Sequence, residues 1–105
     1  MSEGREKFLL PDLVFEWDEE KDRINFQKHG VHFRTAVKVF KDPWILFRED
    51  REHGREERYN IIGKAAKVLF IVVTVRNENT IRIISARIAD RKEREIYENG
   101  CINNE

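Results

Sequence analysis

Two apolar segments with a period of two, residues 68–76 and 81–88, are separated only by Asn77-Glu78-Asn79-Thr80, and they constrain this chain more than any other feature. A strand sends successive side chains to opposite faces, so such alternation marks strands with one buried face, and the short turn makes the pair antiparallel. Leu69, Ile71, Val73 and Val75 fall on one side with Ile84, Ala86 and Ile88, and that side is expected to carry helices. The other side holds Phe70, Val72, Thr74 and Arg76, with Ile83, Ser85 and Arg87. A two-residue turn at Glu78-Asn79 sets Asn77 opposite Thr80, Val72 opposite Ser85 and Phe70 opposite Arg87, so arginines project from a half-covered face. Arg82 departs from the pattern. It is expected on the apolar side beside the turn, its stem packed and its head in water.

The remaining elements read around this pair. A strand over residues 58–63 precedes it across Lys64-Ala65-Ala66-Lys67 and completes a meander. Residues 13–17 form a short strand, and Asp18 offers a carboxylate to the unpaired amides of a helix that Gly30 stops. Phe33, Ala36, Val37 and Phe40 make the stripe of a second helix, ended by Asp42-Pro43. Residues 44–47 are a strand candidate, and the polar stretch 48–57 around Gly54 is a loop. Asp90 and Glu93 have capping-box spacing for a last short helix, which Gly100 is expected to stop. With 105 residues there is room for one domain. The expectation is a single α+β domain over residues 13–100, a mostly antiparallel sheet with two N-terminal helices on one face and a short C-terminal helix. Residues 1–12 read as a loose arm and 101–105 as a tail.

Charge narrows the partners. Twenty Lys and Arg balance twenty Asp and Glu, so no global field draws the protein to nucleic acid, and phosphate binding requires local clustering. A lone cysteine, Cys101, and the lack of a secretory signal pattern point to the cytoplasm. The longest apolar run, residues 68–75, is too short to span a bilayer as a helix.

Arg76, Arg87 and the Lys28-His29 pair stand out for phosphate chemistry, since guanidinium forks match phosphate oxygens. Arginines near strand ends also serve as solvated or carboxylate-paired surface groups. Lys28 and His29 sit at a helix end whose dipole favours a cation, which fits helix capping as well as catalysis. His29, His32 and His53 match no metal-ligand spacing, so no metal and no cofactor is expected. In Glu56-Glu57-Arg58-Tyr59 a carboxylate could act as a general base and the tyrosine could stack on a nucleobase, but the pattern favours a strand-edge salt bridge and a core-facing tyrosine. Trp17 and Trp44 read as core anchors flanking apolar strands, and Arg91-Lys92-Glu93-Arg94-Glu95 as a solvated helix face.

Several strings together resemble one family. They are Phe15-Glu16-Trp17-Asp18-Glu19-Glu20-Lys21, then Asn25, Lys28-His29-Gly30-Val31, Phe33, Ala36 and Val39-Phe40-Lys41-Asp42. In the second half come Glu57-Arg58-Tyr59, Ile62-Gly63, Val73-Thr74-Val75-Arg76, Arg82-Ile83-Ile84-Ser85-Ala86-Arg87, Glu93-Arg94 and Tyr97. In this order they are similar to the BrnT toxins. The resemblance implies a RelE-like fold, a metal-independent ribonuclease acting on RNA, and a hetero-oligomer with a BrnA-like antitoxin of ribbon-helix-helix type that neutralises it and alone contacts DNA. It also implies functional positions, with Lys28, His29, Glu57, Arg76 and Arg87 as catalytic candidates and Arg58, Ser85 and Arg82 as substrate-binding ones. On that expectation the RNA 2'-hydroxyl attacks phosphorus, Arg76 and Arg87 offset the developing charge, Lys28 or His29 protonates the leaving oxygen and Glu57 takes the 2'-proton. Two other readings remain open, a non-catalytic antitoxin-binding co-repressor and a ribosome-dependent mRNA interferase.

Overall fold

The computed structural model describes residues 3–7, 13–50 and 57–103, and His53 and most of the expected loop around Gly54 lie outside them. Six strands form one sheet in the order β1-β2-β6-β5-β4-β3. They are β1 (Glu3–Lys7), β2 (Val14–Asp18), β3 (Leu46–Asp50), β4 (Arg58–Ala65), β5 (Lys67–Asn77) and β6 (Thr80–Ile88). All neighbours are antiparallel except β2 and β6, which run parallel through Val14–Glu16 and Thr80–Arg82. Helices α1 (Glu19–His29), α2 (Phe33–Val37) and α3 (Arg91–Asn103) complete an α+β domain. No helix among the described residues is long and apolar enough to cross a membrane.

The caps form as the residues dictate. Asp18 Oδ1 accepts hydrogen bonds from the amides of Glu20 and Lys21, and Gly30, at φ 70°, ends α1 in the left-handed conformation. Asp90 and Glu93 bond each other's amides at 2.8 and 2.9 Å, a complete capping box. Gly100 does not stop α3, which continues to Asn103. A Cβ there would meet the Leu46 side chain at 2.9 Å, so the missing side chain serves helix–sheet approach and not a terminal turn. The expected loose arm is also corrected in part, because Glu3–Lys7 pairs with β2.

Behind the sheet, Phe15, Trp17, Phe33, Val37, Val39, Ile71, Val73 and Ile83 are almost wholly buried. The second helix tightens after Val37 into a 3₁₀ turn over Lys38–Lys41, which brings Val39 inward at six residues from Phe33 and leaves Phe40 at the margin. Gly63 makes room for it, since any Cβ at that position would collide with Val39. Trp17 is the core anchor expected, whereas Trp44 lies in a turn and is 45% exposed. The strand expected at residues 44–47 begins instead at Leu46 and runs into the stretch read as loop.

Register decides which groups share a face. The turn pairs Asn77 with Thr80, and Phe70 and Val72 stand opposite Arg87 and Ser85, as the alternation predicts. Between them the register shifts by one at two places, so Val73, Thr74 and Val75 face Ile83, Arg82 and Ile81. A one-residue shift exchanges faces. Ile83, and not Ile84, therefore enters the core and Arg82 moves to the face opposite the core, while Ile88, opposite Leu69 beyond the shifts, is 43% exposed.

Asp42 ties the second face to the first. Its carboxylate accepts hydrogen bonds from Tyr97 Oη at 2.6 Å, the Lys64 amide at 2.7 Å and the Trp44 amide at 2.9 Å, joining α3, β4 and the turn before β3. Partial burial pushes this carboxyl up, but the hydrogen bonds from Tyr97, Trp44 and Lys64, with the Lys64 charge, outweigh burial and hold it below its ordinary value. A depressed carboxylate contributes stability that is fully present above its unfolded-state value near pH 3.8 and is lost as the pH falls through the lower folded value. Asp42→Ala is expected to cost about 1–2 kcal/mol near neutral pH, small because solvent screens the group. In thermal melts across pH, the gap between wild type and variant should close only below the ordinary carboxylate range; a gap that persists at the most acid pH contradicts this account.

Candidate functional site

The sheet face away from the core carries three cross-strand rows. The first runs Glu16–Arg82–Thr74–Arg58–Asp50, the second Ser85–Val72–Asn60–Arg48, and the third Arg87–Phe70–Ile62–Leu46. Helix α3 lies at the third row, where Glu93 and Ile96 line a cavity of about 340 Å³ with Leu46, Ile62 and Phe70. At the β6 side, α1 continues where β2 stops pairing. Asn25, its one buried residue, donates from Nδ2 to the carbonyls of Ala86 at 2.7 Å and Val31 at 2.8 Å and accepts from the Ala86 amide at 3.2 Å. The helix thereby satisfies the backbone edge of β6 by way of a side chain. A shallow cavity of about 210 Å³ opens there, lined by Lys21, Lys28, His29, Ile84 and Ser85.

The candidate residues fall into two groups. Lys28, His29 and Ser85 share the cavity beside α1, with Arg87 two positions along β6. Lys28 and His29 are exposed and make no hydrogen bond or ion pair among the described residues. Arg87 is held in place: both guanidinium Nη atoms donate to Glu93 at 2.8 Å, and its Cζ lies over the Phe70 ring, 4.4 Å from the ring centre. The hydrogen bonds it donates to Glu93 raise its pKa against the opposing effect of burial, and the charges of Glu93 and Asp90 add to the increase. In the second group Glu16 receives Arg82 at 3.0 Å and Arg76 at 3.5 Å, Arg58 stands across Thr74 from Arg82, and Glu57 is exposed beside it.

These placements set two pairs of the expected residues apart. Arg76 and Arg87 share a face, but six residues of β5 separate Arg76 from Phe70, the partner of Arg87. At 3.3–3.4 Å per residue that is about 20 Å, too far for both to hold one phosphate. Glu57 bonds through its carbonyl to the amide of Val75, whereas Ser85 stands opposite Val72 and two strands away, so the backbones of Glu57 and Ser85 are about 14 Å apart. Glu57 therefore lies away from the cavity that Lys28 and His29 line. Tyr59 packs against the core, as its apolar neighbours imply, and burial followed by the nearby Glu57 and Glu49 charges raises its hydroxyl pKa. His32 stacks on Phe26 and contacts Asp22 at 3.3 Å, a role in shaping the α1–α2 corner. Among the described residues no three His, Cys, Asp or Glu side chains are grouped to hold a metal ion.

Sequence reasoning missed Asn25 as the group that docks α1, and it missed Asn60 and Arg48 on the open face. A polar residue at the centre of a helix with few apolar positions was the available signal for Asn25. The strand containing Arg48 was read as loop, which hid the row to which Asn60 and Arg48 belong.

The family of the ribonuclease toxin BrnT, of type II toxin-antitoxin systems, matches residues 17–93. The chain belongs to the BrnT family. The match spans both groups of candidate residues, and membership in a type II system implies an antitoxin partner. The crystal structure of the Brucella abortus ribonuclease toxin BrnT superposes with a TM-score of 0.59 at 22% identity, covering 71% of this chain and 94% of that one, which establishes a common BrnT fold. No curated protein matches the chain.

Proposed function

We propose that this BrnT-family protein is a metal-independent endoribonuclease of the cytoplasm whose RNA substrate lies across the open sheet face. The observation that carries the reading is the cavity beside α1, where Lys28, His29 and Ser85 meet next to the fixed cation of Arg87. The 2'-hydroxyl oxygen attacks the adjacent phosphorus, the bond to the 5'-oxygen breaks, and a 2',3'-cyclic phosphate remains. Lys28 and His29 divide the two proton transfers, one taking the 2'-proton and the other supplying a proton to the leaving oxygen. Arg87 offsets charge on the non-bridging oxygens, and Ser85 hydrogen-bonds one of them. Arg58, Arg76 and Arg82 hold the strand further along the face, where Glu16 fixes two of them. Glu57 takes no step. A BrnA-like antitoxin of ribbon-helix-helix type covers the toxin, forming a hetero-oligomer in which the antitoxin alone binds DNA.

Cleavage of naked RNA by the purified protein in excess chelator, with end analysis of the fragments, tests this. Fragments ending in 2',3'-cyclic phosphate are expected. Ends carrying a 3'-hydroxyl, or activity that appears only with divalent metal, overturn the mechanism, and growth arrest without cleavage of naked RNA points to the ribosome-dependent reading.

A further inference from the structure

The larger cavity lies on the same face as the proposed cleavage site yet plays no part in the proton transfers. Its floor is apolar, formed by Ile62 and Phe70 of adjacent strands, and its outer wall is Ile96 of α3. Asn60 and Arg48 line one side. The Asn60 side-chain amide has no hydrogen-bond partner among the described residues, and Arg48 there has no ion-pair partner. The rim carries both signs, Arg48 and Lys92 against Asp90 and Glu93, with Glu93 bonded to Arg87 and to the Asp90 amide. An apolar floor with an open amide and the Arg48 cation on one side therefore remains to take a planar heterocycle joined to a phosphate. The volume, about 340 Å³, is at the small end of ligand sites.

Register places this cavity in relation to the chemistry. Ser85, Val72, Asn60 and Arg48 form one row across four strands. Ser85 belongs to the cleavage cavity and Asn60 to the larger one, two strand spacings or about 10 Å apart. That separation suits a nucleotide next to the one being cut. Arg87 contacts Glu93 and Phe70, both of which line the larger cavity, and stands two positions along β6 from Ser85 of the smaller one.

We propose that the groove between α3 and strands β4–β5 is a nucleobase pocket that sets the cleavage preference, with the Asn60 amide reading the hydrogen-bonding edge of the base next to the cut. The proposal rests on the reading of the open face as an RNA surface. An amide presents one donor group and one acceptor, and on the N7 edge of the bases only adenine, with its N6 donor beside the N7 acceptor, matches both, so adenine is the preferred base. Arg48 at the rim holds the phosphate of that nucleotide.

Two measurements on the full-length protein separate the pocket from the chemistry. The first maps cuts in a randomised single-stranded RNA, and the second measures the affinity of uncleavable 2'-O-methyl oligonucleotides that differ in one base. Wild type should prefer adenine at one fixed position beside the cut, and Asn60→Ala should reduce that preference by about 5- to 150-fold. Asn60→Asp, which keeps the shape but replaces the donor with an acceptor, should move the preference towards bases that present donors, an effect loss of folding cannot produce. Base-dependent affinity without cleavage supports the pocket and removes the nuclease reading. An unchanged preference in both variants, or affinity independent of base, overturns the pocket. So does protection of this groove by antitoxin together with equal, weak binding of every oligonucleotide, which would assign it to the protein partner.

Discussion

His29→Ala is expected to lower the rate of RNA cleavage by about 10²- to 10⁴-fold, the usual worth of a positioned acid or base. The same range applies to Lys28→Ala. Both side chains are exposed at the end of α1, so neither truncation opens a cavity, and the stability cost should stay within about 1 kcal/mol through the lost dipole interaction. Glu57→Ala should cleave at close to the wild-type rate, because its backbone stands about 14 Å from Ser85. The measurement is the single-turnover rate on one RNA at saturating protein, with the melting temperature of each variant as control. If His29→Ala and Lys28→Ala both cut at the wild-type rate, the cavity beside α1 is not the catalytic centre. A large loss in Glu57→Ala alone would place the centre among Arg58, Arg76 and Arg82 instead.

Asn25→Ala is expected to destabilise the fold by about 3–5 kcal/mol, a large share of the stability of a domain this size. The truncation leaves the Ala86 amide and the carbonyls of Ala86 and Val31 without partners in a buried place, each worth about 1–3 kcal/mol, less what entering water recovers. Asn25→Asp should cost at least as much, since a carboxylate cannot donate to the two carbonyls and would bury a charge. Chemical denaturation gives the difference directly. Because Asn25 docks α1, partly folded variants should also lose cleavage through displacement of Lys28 and His29. A loss below about 1 kcal/mol in both variants would mean that packing, not these hydrogen bonds, holds the helix.

Much of the architecture was legible because it depends on neighbours in sequence. Asp18 caps α1 and Gly30 ends it through contacts within a few residues, and Asp90 with Glu93 closes a box over three positions. The short turn after Asn77 correctly placed Phe70 opposite Arg87. Reading failed where a distant partner overrode a local preference. Gly100 has the composition of a helix stop, but contact with Leu46 uses its missing side chain within the helix. Phe40 matches the period of an α-helix, but the tighter turn and the space above Gly63 bring Val39 into the core.

By itself, the sequence determined the three helices, the antiparallel meander and the face assignments away from the register shifts, because alternation and capping act over one or a few residues. It also contained the strings that mark the BrnT family. Only the tertiary structure decided which cations work together. Two register shifts moved Arg82 onto the face of Arg87 while six residues of strand kept Arg76 apart, and Asn25 brought Lys28 and His29 against Ser85. Such groupings depend on strand register and on hydrogen bonds between residues up to 66 positions apart, and no local pattern encodes them.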